Sequence, residues 1–139
     1  MSVTQRVLLD PTRLPSIEDW AHEIRARGFA LEIDTAVDPE TFSGYLPCVH
    51  RGHASGFEYF LQRDAELDDD VRAAAGTQRT LEISFVTHSD MRELVTAMIA
   101  SGVLALLSDG VVWSDESGEA LSGLAAVDLA RETERAELS

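Results

Sequence analysis

The sequence predicts an α+β domain built on a mostly antiparallel sheet, with helices packed on one face. Three observations predict it. Short segments with apolar residues at every second position recur along the chain, and "TLEISFV" (Thr80 to Val86) is the cleanest, with Leu81, Ile83 and Phe85 on one face. Two more such segments, Tyr45 to Val49 and Phe57 to Gln62, lie close enough to form a hairpin. Two other stretches, around Trp20 and from Met91 to Leu107, carry apolar residues at helical spacing. Hairpin-linked strands pair antiparallel, and amphipathic helices need a sheet face to bury against.

Each element has its own justification. Val3 to Leu9 reads as a short opening strand with imperfect alternation, and Pro11 and Pro15 punctuate the connector after it. Ser16 is an N-cap with Asp19 in the capping-box position. Ile17, Trp20, Ala21 and Ile24 follow as one helix face, and Gly28 closes the helix. Phe29, Leu31 and Ile33 alternate as a strand, and "DTAVDPETFSG" is a polar turn region. Between the hairpin strands, "HRGHASG" is the expected connection, with Gly52 and Gly56 supplying backbone freedom. Pro47 has no amide donor, which places its strand at an edge or a bulge. "RDAELDDDVRAAAGTQR" is a charged excursion with room for one helical turn.

After the strand Thr80 to Val86, Thr87, Ser89 or Asp90 caps the main helix. Met91, Leu94, Val95, Met98, Ile99, Val103 and Leu106 give it a wide apolar face, and Leu104, Ala105 and Leu107 extend that surface nearly all round. Such a helix must be covered on more than one side, by the sheet and by something else. A homodimer covering its outer side is one way to supply the cover. Gly110 ends the helix, "VVW" and "EAL" form a small hairpin around "SDESG", and Ser122 caps a final helix to about Arg135.

Composition bounds the rest. With 139 residues, 45% hydrophobic and 26% charged, residues 1–139 fit one soluble domain with a core of its own. A single cysteine makes no internal disulfide. The N-terminus lacks a basic region followed by a long apolar run, and the apolar run Leu94 to Leu107 is short and interrupted by Thr96, Ser101 and Gly102. A cytoplasmic location is the expectation. Twenty-five acids face eleven bases, all arginine, for a net charge of -14. That surface repels nucleic acid and anionic membranes and attracts a basic protein partner.

No catalytic set is recognisable and no cofactor is expected. The best single interaction candidate is the acidic run Asp64, Glu66, Asp68, Asp69 and Asp70, a landing pad for arginine or lysine side chains. It lacks the glycine and spaced glutamate of a calcium loop. The alternative centres on the hairpin. Cys48 and His50, two apart on a strand, share a face, and His53 across a turn would complete three ligands of a zinc site. The structural alternative reads Cys48 with Leu46 as an apolar pair and His50 and His53 as polar turn residues. Glu58, flanked by Phe57 and Tyr59, suits general-acid work in an enzyme built on Cys48, His50 and Glu58, with His88 as a further candidate; the plainer alternative is a solvent-facing glutamate or one paired with Arg51. Trp20 and Trp113 are assigned to the core, and either one exposed would mark an interface.

"LPSIEDWAHEIRARGFALEID", "GYLPCVHRGHASGFEYF" and "LEISFVTHSDMRELVTAMIASGVLALLSDGVVWSDESGEAL" together resemble a set of small acidic bacterial proteins without established activity. The features that carry this resemblance are packing features, so it implies no catalytic residue. In type, a small acidic α+β domain is also similar to the immunity proteins that neutralise bacterial toxins, which implies a basic toxin, often a nuclease, as partner.

Overall fold

The computed structural model describes residues 2–138. Seven strands form one sheet in the order β2-β3-β4-β5-β1-β6-β7, with every neighbouring pair antiparallel. The fold is therefore α+β, as the hairpin-linked strands predicted. The opening strand β1 (Ser2–Leu9) sits inside the sheet between β5 (Leu81–His88) and β6 (Val111–Ser114). Its imperfect alternation has a structural reason. Val7, Leu8 and Leu9 are all at most 1% exposed, because both faces of the sheet are covered at that end.

On one face lie α1 (Ile17–Ala26), α3 (Met91–Ser108) and α4 (Gly123–Leu138), over the main core. The Ser16 hydroxyl accepts the Asp19 amide at 3.1 Å, capping α1. Trp20, fully buried, donates its indole N–H to the Ala100 carbonyl of α3 at 3.0 Å and so ties the two helices together. Asp90 caps α3 by accepting the Glu93 amide, and Asp109 ends it in the left-handed conformation just before Gly110. α4 lies across α3, and the contact is close: a methyl group at Gly123 would run into the backbone of Leu106. This is the second cover that the all-round apolar α3 required, and it comes from the same chain. By length and composition alone α3 would pass for a membrane span, yet two thirds of it is buried within the fold.

The short α2 (Asp69–Ala75) takes the other face of the sheet. Val71 and Ala75 pack there on Leu8, with Leu67, Val111 and Trp113 half-buried around them. Helices on one face thus describes α1, α3 and α4, while α2 caps one end of the second face. Trp20 belongs to the main core as expected; Trp113 belongs to this smaller cluster.

The central hairpin is tighter than its sequence suggested. β3 (Gly44–His50) and β4 (His53–Arg63) are joined by Arg51 and Gly52 alone, both at positive φ (50° and 81°), the conformation of a two-residue hairpin turn. Ala54, Ser55 and Gly56 belong to the strand, although none of them carries an apolar alternation signal. β3 is not an edge strand, because β2 (Leu31–Ile33) pairs with its outer side. Pro47 is tolerated because β2 is so short. The Pro47 carbonyl accepts the Asp34 amide just past the end of β2, so its missing donor points where the ladder has already stopped.

Candidate functional site

Two histidine–glutamate pairs stand on opposite faces of the sheet, and neither was read from the sequence as a pair. On the helix-covered face, His50 is fully buried, with Nε2 2.7 Å from a Glu134 carboxylate oxygen and Nδ1 2.7 Å from the Arg92 guanidinium. A guanidinium only donates, so Nδ1 accepts and Nε2 carries the hydrogen given to Glu134. The other Glu134 oxygen receives Arg51 at 3.1 Å, and Arg51 also donates to the Leu138 carbonyl at 3.0 Å. This network pins the C-terminal part of α4 to the β3 strand end and to α3. His50 is therefore not a turn residue but a satisfied core histidine.

The arrangement decides the fate of the hairpin residues. Cys48 does share a face with His50, and packs beside Leu46 as the apolar pair expected. Burial pushes its thiol up to about 11, against the hydroxyls of Thr96 and Ser55, which pull the other way. His53 stands opposite His50 in the ladder but is exposed, and both nitrogens of His50 are already engaged. Glu58 lies on the opposite face of the sheet from Cys48 and His50. Among the described residues no three His, Cys, Asp or Glu side chains converge as a metal site would need. The residues proposed for an enzyme on Cys48, His50 and Glu58 are thus separated by the thickness of the sheet.

The second face is where exposed chemistry collects. Among the described residues no helix but α2 covers it, and it carries Tyr45, Val49 and Phe60 at 51%, 41% and 39% exposure. The Tyr45 ring lies across Gly56, where any Cβ would collide with it, and its hydroxyl donates to Glu93 at 3.4 Å. Burial of the phenol and the nearby Glu93 carboxylate both raise its pKa. Next to Phe60 on the same strand, Glu58 is hydrogen-bonded to His88, not to Arg51. Glu32 and Glu82 point to this face as well. Arg6, the one arginine that these strands direct there, is held between Glu82 at 3.6 Å and Asp115 at 3.0 Å. The result is an acidic surface that also exposes two aromatic side chains.

The acidic run borders that face. Asp64, Glu66, Asp68, Asp69 and Asp70 are all exposed, while Ala65 between them is buried. Asp69 and Asp70 occupy the first turn of α2, where carboxylates complement the helix dipole. The run therefore has a structural reason, and it leaves the acids facing solvent. No family model, no curated protein and no solved structure matches this chain.

Proposed function

We propose that this chain is a non-enzymatic cytoplasmic domain that binds a basic protein through the second face of its sheet. The observation that carries the reading is that Tyr45, Val49 and Phe60 stay exposed along a sheet face that α2 covers only at one end. Large apolar side chains left exposed among acidic residues on a rigid sheet are what a protein interface uses. Glu32, Glu58, Glu82 and the Asp64–Asp70 run stand between and around them, and the net charge of -14 gives the face a long-range field. The acids steer a basic partner in, and the aromatic side chains exclude water where it docks. A nuclease toxin is the concrete case: it must hold phosphates with arginine and lysine, and an acidic face competes for the same side chains.

Affinity capture from the producing cells, followed by titration of the purified partner, tests this. The reading expects a strongly basic partner that is released by raised salt. Binding is lost with Phe60→Asp and weakened several-fold by Asp68, Asp69 and Asp70 to Asn together, with the fold of both variants intact. Binding indifferent to salt and to both variants would overturn it.

A further inference from the structure

A hollow lies away from that face, on the helix side of the sheet. It is a wedge of about 640 Å³, against 290 to 350 Å³ for four other surface hollows. Val3, Val112 and Leu121 of β1, β6 and β7 (Glu119–Ser122) form its floor, Met98 of α3 one wall and Leu129 of α4 the other. Its origin is legible in the packing. At Gly123 the chain leaves β7 pressed onto the α3 backbone, so α4 rides mainly on α3 and touches the β6–β7 hairpin only lightly. On the inner side of that hairpin Val112 is buried but Leu121 stays half-buried, and Leu129 remains 43% exposed at the lip.

Among the described residues the charged groups of the wedge have one sign. Glu116 and Glu119, both exposed, stand in and beside the β6–β7 turn, and among the described residues no arginine or histidine lines the space. Neither glutamate is in an ion pair among the described residues. Gln5, toward the floor, accepts the Ser101 hydroxyl through its side-chain oxygen at 3.2 Å, which leaves its amide N–H₂ as the donor there. A volume in the range of small-molecule sites, apolar walls and an uncompensated pair of carboxylates define a ligand by complementarity. We infer that the wedge is a binding site for a small cationic amphiphile, an apolar body with one amine or ammonium end. The body lies between Met98, Leu121 and Leu129, and the cation meets Glu116 and Glu119. This site does not depend on the protein-binding role of the opposite face.

Calorimetric titration of the full chain with decylamine, decanol and decanoate, each below its micelle concentration, tests the inference. Decylamine should bind once per chain, roughly fivefold tighter than decanol, with decanoate weakest. Glu116→Gln with Glu119→Gln should remove the advantage of decylamine and leave decanol unchanged. Ala125→Phe, at an exposed lining position, should abolish binding of both. Methyl NMR on the wild type gives the same readout without a substitution: shifts should concentrate at Met98, Val112 and Leu121. Decanoate binding as tightly as decylamine would overturn the ligand class. Wild-type binding by Ala125→Phe, or shifts at Val49 in place of Met98, would overturn the site. A dimer in sedimentation that Leu129→Glu dissociates would show the wedge to be filled by a second copy, and would also overturn it.

Discussion

The His50–Glu134 pair and the His88–Glu58 pair use the same two side chains on opposite faces of one sheet. The first is 0% and 9% exposed at its side chains, the second 59% and 33%. Behind the first stand Arg92 and Arg51, so every hydrogen-bonding position of the imidazole is taken and the carboxylate is doubly engaged. Water competes for both members of the second. The difference teaches that residue type alone does not mark a site. Burial turned one pair into a fastener between β3, α3 and α4, and exposure left the other on a surface free to meet a partner.

Experiments can break or sharpen that contrast, and the largest expected effect is at Cys48, the neighbour of His50 on the covered face. With its thiol pushed up to about 11 and buried, thiolate at neutral pH is scarce, so alkylation should be at least about a hundredfold slower in the native chain than in the unfolded one. Labelling of the native chain at the unfolded rate would show the covered face to be open. Glu134→Ala comes next. It leaves the buried Nε2–H of His50 without an acceptor and should lower the unfolding free energy by about 3 kcal/mol in urea denaturation. Glu134→Gln keeps an acceptor for His50 but sets an amide N–H₂ against the Arg51 guanidinium, donor facing donor, so an intermediate loss of about 2 kcal/mol is expected. Glu58→Ala, on the exposed pair, should cost under about 0.5 kcal/mol. Equal losses for Glu134→Ala and Glu58→Ala would erase the distinction between the two faces.

Much of the fold was legible in the sequence because it depends on local pattern. Leu81, Ile83 and Phe85 alternate, Ser16 and Ser122 cap, and the all-round apolar α3 announced that more than one element must cover it. The errors came where local pattern is silent. Ala54 to Gly56 are small or polar, so the strand they belong to read as a loop. Leu8 breaks the alternation of β1 because α2 buries it from the second face, and α2 itself looked like a charged excursion with only Val71 and Ala75 to anchor it. The candidate site was less legible still. His50 meets Glu134 across 84 positions and Arg92 across 42, and Glu58 meets His88 across 30. No spacing rule links charges that only the folded sheet brings together. The Asp64–Asp70 run was visible as charge, but the exposure of Tyr45 and Phe60 required knowing which sheet face α1, α3 and α4 leave open.

The central claim is that partners dock on the uncovered sheet face and not on the helices. Hydroxyl-radical footprinting of the free and partner-bound chain tests this most directly, because both faces carry exposed reporters. Tyr45 and Phe60 mark one face, and Leu124 and Leu129, at 55% and 43% exposure, mark the other. The account predicts that the bound partner suppresses oxidation of Tyr45 and Phe60 and leaves Leu124 and Leu129 unchanged. Protection of the two leucines with Tyr45 and Phe60 still oxidised would contradict it.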